Sequence, residues 1–193
     1  MSRRISISKL YYATRTVGVG GQVTYGKPVQ IPKFISIKTT DATSSYTFYS
    51  DGGVEEANNK LNKVEGEIEL GYLDAELRKA LFGNSLETGL LKRNSKDVAA
   101  NVAIMYSMLR SDGEYDFRVL YNCTLSLSES EGATMEEDVE SANFKLNFVA
   151  SPNENGDIDA ESSTDAKEGT FTDEAKFFAN VPGTAAAAAS AKA

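Results

Sequence analysis

Three carboxylates at alternate positions, Glu65, Glu67 and Glu69, are the first residues of this chain whose type and spacing could do chemistry. On an extended strand, alternate residues stand on one face about 6.5 Å apart, within the range of the acid pairs that cleave glycosidic bonds. Such pairs face each other from different strands across a cleft with aromatic walls, and this chain has no Trp to stack a sugar. A second acidic run, Asp157, Asp159, Glu161, Ser163, Asp165 and Glu168, has the one-three-five-seven-nine-twelve spacing of a calcium loop. Its sixth position is Ser162, where the sharp turn needs glycine, and no helix pattern flanks it. It reads as a solvated acidic loop. Gly18, Gly20 and Gly21 resemble a phosphate loop, but no Lys-Ser/Thr follows and the next element is a strand, so a hairpin turn is expected. Cys123 falls in phase with an apolar face and reads as a buried, inert thiol. The chain has no His, so no Ser/His/Asp or Cys/His constellation exists in it, and the default proton carrier near neutrality is missing. The expectation is a building block with no catalytic site, cofactor or metal, acting through surfaces and edges.

Composition bounds the partners. Asp plus Glu number 28 against 20 Lys plus Arg, a formal net charge of −8, which argues against tight binding to a polyphosphate. A surface that DNA passes without sticking remains compatible with it. One cysteine allows no internal disulfide, and the context reads as cytosolic. The basic start Met1-Ser-Arg-Arg is followed by Ser6, Ser8 and Lys9 rather than an apolar stretch, so no secretory signal is expected. No apolar run approaches the ~18 residues of a membrane span.

The elements that must position these residues are mostly strands. Ile5, Ile7, Leu10, Tyr11 and Tyr12 read as a first strand, followed by the glycine-rich turn at 17–22 and short strands around Pro28 and Pro32. Further strands are expected at 34–38 and 45–50. Residues 50–60, with paired Gly and paired Asn, read as a long solvent loop. Val64, Gly66, Ile68, Leu70 and Tyr72 share one face of the next strand, opposite the glutamates. Leu73, Leu77 and Leu81 then switch to helical spacing, with Asp74 placed to cap the helix and Gly83 to end it. After it, Val102, Ile104, Tyr106 and Met108 line one face of a strand, and Ser111-Asp-Gly-Glu114 turns the chain. The returning strand puts Phe117, Val119, Tyr121, Cys123, Leu125 and Leu127 on one face, with Arg118, Asn122, Thr124 and Ser126 opposite. A last strand carries Phe144, Leu146 and Phe148. The sum is a mainly β fold, an antiparallel β-sandwich flanked by one α-helix, over residues 1–150. Residues 151–193 form an acidic linker, a possible docking arm carrying Phe171, Phe177, Phe178 and Val181, and an alanine-rich tail.

In this order the motifs resemble the major tail protein, or tail tube protein, of long-tailed bacteriophages, in the form common in phages of Gram-positive bacteria. The residues that carry the likeness are Lys9-Leu-Tyr-Tyr-Ala13, Tyr25-Gly-Lys-Pro-Val29, Ile31-Pro32, Ile35-Ser-Ile37, Phe48-Tyr-Ser-Asp-Gly-Gly53 and Glu67-Ile-Glu-Leu70. Leu81-Phe-Gly83, Asp97-Val-Ala99 and Leu109-Arg-Ser-Asp-Gly-Glu-Tyr115 continue it, so that it covers residues 5–150. The resemblance implies the phage tail-tube fold and a non-enzymatic virion protein, assembled in the host cytoplasm. It implies hexameric rings stacked into a tube that conducts the genome. The implied partners are further copies of the chain, a tape-measure protein, tail chaperones, a tail terminator, distal tail or baseplate proteins, and double-stranded DNA in transit; no membrane is involved. Two other readings stay open, the inner tube of a contractile tail or tail-like bacteriocin, and a β-sandwich carbohydrate-binding or adhesion module.

Within that reading the residues take definite parts. Glu65, Glu67 and Glu69 are the candidates for the lumen face, where six copies would set a carboxylate wall against passing phosphates; its reach is about one Debye length, ~8 Å at physiological salt. Arg118, Asn122, Thr124 and Ser126 form the alternative lumen surface. Asp51, Gly52, Gly53, Val54, Glu55 and Glu56 are the candidates for an inter-ring loop.

Overall fold

The computed structural model describes residues 3–50, 53–130, 143–166 and 169–184. The chain runs β1 (Arg4–Val17), β2 (Val23–Tyr25), β3 (Val29–Gln30), β4 (Phe34–Ser50), β5 (Gly53–Leu70), α1 (Ala75–Phe82), β6 (Ser85–Glu87), β7 (Leu90–Lys92), β8 (Asn101–Arg110), β9 (Tyr115–Ser130), β10 (Phe144–Ala150) and β11 (Asp159–Ser163). A 3-10 turn (Thr170–Thr172) and α2 (Glu174–Ala179) follow. Nine strands form one antiparallel sheet in the order β2-β1-β8-β9-β10-β5-β4, with β3 added beside β1 and β11 beside β9; β6 and β7 make a separate hairpin. The sheet folds back on itself. Ile37, Val64, Ile68 and Leu70 at one end share a core with Leu10, Tyr12, Ile104 and Tyr106 from the other. α1 closes this core with Leu77 and Leu81. Asp74 caps the helix by accepting from Leu77 N at 2.6 Å, and Gly83 ends it in the left-handed region, where a Cβ would meet Val98 O at 2.5 Å.

A second core lies on the opposite face of the sheet. Ala13, Met105, Phe117, Val119 and Tyr121 are covered there by Phe177, Phe178 and Val181. Phe177 stacks on Phe117 at 5.1 Å and Phe178 on Tyr11 at 4.4 Å, ring centre to ring centre. The sequence pattern predicts one flanking helix; α2 is a second, only six residues long and too short to show a period. The central strand β8 is buried on both faces and so serves both cores.

Two bulges correct the expected faces. On β9, Val102 pairs with Cys123 but Ile104 with Leu120, so Tyr121 and Asn122 together oppose Ala103. The extra residue reverses the alternation. Phe117, Val119 and Tyr121 face the second core, whereas Cys123, Leu125 and Leu127 face the first. Arg118 therefore leaves the Asn122, Thr124 and Ser126 face and points the other way, where its Nη1 donates to Thr39 Oγ1 at 3.4 Å. On β1, Ile7 pairs with Met108 and Lys9 with Ser107, so Ser8 is the extra residue that lets Ile7 and Leu10 reach one core.

The long loop expected at 50–60 is instead strand. β4 and β5 pair from Phe34↔Leu70 out to Ser50↔Gly53, one hairpin with only Asp51 and Gly52 between its strands. Residues 59–63 at the near end of this stretch are exposed, so no buried face imposes a period on them. Backbone pairing holds them, and pairing leaves no hydrophobic period to read.

Candidate assembly surfaces

The outer part of this hairpin, residues 41–50 and 53–63, is a two-stranded ribbon about 30 Å long at ~3.3 Å per residue. Asp41, Thr43, Ser44 and Ser45 on one strand and Asn59, Lys60, Leu61, Asn62 and Lys63 on the other are exposed. β10 stops pairing with β5 at Val64, and β4 is the last strand of the sheet. Among the described residues no further strand pairs with either edge of the ribbon, and its side chains at 43–45 and 59–63 are exposed. Of the six candidate inter-ring residues, Gly53, Val54, Glu55 and Glu56 lie on β5 near the ribbon tip, and Asp51 and Gly52 lie outside the described residues.

The inner part of the same hairpin carries Glu65, Glu67 and Glu69. Val64, Ile68 and Leu70 point into the core and turn the glutamates outward. Gly66 lies on the core side because Phe148 covers it; a Cβ there would sit 2.5 Å from Phe148 Cζ and 2.1 Å from Lys38 O. Glu65 and Glu67 are exposed, and Glu69 is half-buried, accepting from Ser36 Oγ at 3.1 Å and Asn143 Nδ2 at 2.8 Å. Cross-strand register adds what sequence spacing missed. Lys38 stands beside Glu67 and Lys145 beside Glu69, while Lys63 Nζ lies 2.7 Å from Glu65 Oε1. Among the described side chains this face sets three carboxylates beside three ammonium groups, and the register places Glu129 next to Lys145. The same register continues through Asn147 to Ser126 and through Val149 to Thr124, so the two alternative lumen surfaces, Arg118 excepted, are one continuous face. The signal for Lys38 was in the sequence, one residue after the inward Ile37; which strand stood next to β5 was not.

The acidic run with calcium-loop spacing has a different use. Asp159, Glu161 and Ser163 are alternate residues of β11, and the cations against them are arginines of the sheet. Arg118 Nη2 lies 2.6 Å from Asp159 Oδ2, Arg4 Nη2 3.2 Å from Glu161 Oε2, and Arg110 Nη2 2.8 Å from Asp165 Oδ2. Arg110, with Ser163 donating from Oγ, holds the Asp165 carboxyl below its ordinary range, and Arg110 likewise holds Asp112 down, to about 2. Asp157 closes a turn in which Asn153 Oδ1 accepts from Asn155 N and Asp157 N, each at 2.9 Å; Glu168 lies outside the described residues. Among the described residues, no group of three or more His, Cys, Asp or Glu is placed to hold a metal. Burial pushes the Cys123 thiol well above its ordinary range, as an inert core thiol requires. The docking-arm candidates Phe177, Phe178 and Val181 are buried against this chain's own sheet, with Phe171 at their margin.

No family model matches the chain, and no curated protein matches it. Among solved structures it is similar to the cap of the anti-feeding prophage, described as its tube terminating cap, at 14% identity and a TM-score of 0.44, covering 80% of this chain and 87% of that one. It is also similar to a chain of the anti-feeding prophage baseplate, at 9% identity and a TM-score of 0.38, covering 83% of this chain and 95% of that one.

Proposed function

We propose that this chain is a non-enzymatic structural subunit of a long-tailed bacteriophage, polymerising as stacked hexameric rings into the tail tube through which the genome passes. The observation that carries the reading is the β4–β5 hairpin. A strand of 17 residues at the edge of a sheet, continuing into a bare ribbon, is a template for pairing with another chain. Two strands alone are marginal in water, so such a ribbon calls for a neighbour to cover it. Closing sheets through neighbouring subunits around a ring removes the open edges. The order of sequence motifs over residues 5–150 points to the same assembly.

In this reading the inner hairpin half lines the lumen with Glu65, Glu67 and Glu69 set among Lys38, Lys63 and Lys145, and the outer half reaches the next ring. A wall of interspersed carboxylates and ammonium groups suits a conduit. Phosphates find no run of cations without carboxylates beside them, and screening limits the field to about one Debye length, ~8 Å. The chain would work with a tape-measure protein, tail chaperones, a terminator and distal tail proteins, and would belong to the virion tail. Negative-stain microscopy of the concentrated protein tests the proposal. Six-fold rings or tubes are expected, without metal or nucleotide. Assemblies of another symmetry, or monomers at every concentration with and without preformed tube fragments as seeds, overturn it.

A further inference from the structure

Residues 151–184 make ion pairs with the rest of the chain at every stage of their path. Glu154 pairs with Arg15, Asp159 with Arg118, Glu161 with Arg4 and Arg118, Asp165 with Arg110, and Glu174 Oε2 with Lys9 Nζ at 2.9 Å. In each pair the carboxylate belongs to the segment and the cation to β1, β8 or β9. The covalent link to the sheet is the single crossing at Ala150–Ser151. Beneath the segment lie two features that a free sheet would expose, the Asp116–Leu120 edge of β9, which β11 occupies, and the aromatic floor of Tyr11, Phe117 and Tyr121.

We propose that residues 151–184 are a strap with its own opening equilibrium, fastened by these charges, which lifts from the sheet, taking Ile158 with it, while the rest of the first core and β8 stay folded. Physical chemistry separates the fastening from the rest. The segment buries Phe177, Phe178 and Val181, which salt does not loosen, but most of its ion pairs have one partner substantially exposed to solvent and are open to screening. The segment reaches the first core only at its margin, where Ile158 packs and Arg118 meets Tyr106; Leu77, Leu81, Ile68 and Ile104 are held there by apolar burial. Raising ionic strength therefore acts on the strap more than on the apolar cores of the sheet. Opening frees the β9 edge, so ionic conditions set how often this chain offers a further unpaired edge.

Hydrogen–deuterium exchange on the full chain, dilute enough to stay unassembled, tests this in 0.05 M and 1 M NaCl. Amides of 159–163 and 174–181 should exchange faster at high salt, by about tenfold or more for this many screened pairs. Amides of 102–106 should not change. Lys9→Glu should accelerate exchange at 174–181 at low salt, and Lys9→Glu with Glu174→Lys should restore it. Strap protection independent of salt, strap and β8 amides accelerating together, or no restoration in the double variant would each overturn the proposal.

Discussion

The β4–β5 hairpin is two structures in one. From Phe34↔Leu70 to Asp41↔Val64 it is a wall of the core, with Ile37, Val64, Ile68 and Leu70 inward. From Ala42 outward its described side chains are mostly exposed on both faces. The backbone pairing is continuous across the boundary, yet the origin of stability changes there. The inner half is fixed by burial and tolerates little; the outer half is fixed by pairing alone and is free to serve another chain. Continuity of a strand is therefore no measure of how firmly its residues are held.

The largest difference should appear on adding one side chain to each half. Gly66→Val places a Cβ against Lys38 O and Phe148 and should cost about 3 kcal/mol or more. Asn59→Val on the ribbon should stay within about 0.5 kcal/mol. Urea denaturation midpoints decide it, and equal losses would erase the distinction. Next, replacing residues 43–62 by Asn-Gly removes the ribbon and keeps the Ala42↔Lys63 pair. The melting temperature should move by only a few degrees, while tubes should fail to form. Tubes from this variant would show the ribbon to be idle in assembly.

A smaller effect concerns the glutamate face. Glu65, Glu67 and Glu69 to Gln takes three carboxylates from beside Lys38, Lys63 and Lys145, so particles carrying it should eject DNA more slowly at low salt and recover at high salt. Ejection at the wild-type rate at every salt concentration would take this face out of the lumen. Acid should sharpen the contrast further. Asp112 titrates at about 2 when folded against 3.8 otherwise, so its pairing stabilises the fold above the ordinary value and is lost as pH falls through that interval. Near-ultraviolet circular dichroism should change there around Tyr115, while ribbon amides keep their protection relative to the intrinsic exchange rate at each pH. The mildest test is chemical. Cys123 should resist iodoacetamide in the native chain, whereas a cysteine at Asn59→Cys should react at once.

How much of this was legible in the sequence follows from how much burial each part has. Residues 64–70, α1 with its Asp74 and Gly83 caps, and Val102 to Met108 announce themselves, because a buried face imposes a period of two or 3.6. The ribbon was invisible for want of a core. The acidic strand β11 looks solvated in sequence because its counter-ions, Arg4, Arg110 and Arg118, are distant along the chain. For the candidate surface, the outward turn of Glu65, Glu67 and Glu69 was legible from Val64, Ile68 and Leu70, but the balancing lysines depend on strand order. The face swap on β9 was hidden because Phe117 through Leu127 alternate without interruption on paper; a bulge of one residue leaves the spelling intact and reverses its meaning.

That bulge also governs how the chain can change length over evolutionary time. Deleting Asn122 would close the bulge: Ala103 would face Tyr121 alone, the Ile104↔Leu120 and Val102↔Cys123 pairs would stand, and Cys123, Leu125 and Leu127 would keep the first-core side. Elsewhere inside β9 single-residue gains or losses would turn inward residues such as Phe117, Val119 or Leu125 to the wrong face. The ribbon, with no inside and outside to confuse, should accept them in matched pairs, one on each strand. Among descendants of one ancestor, variation in length should gather at the ribbon tip and at residue 122 and be absent from the rest of β9, a signature readable from lengths alone.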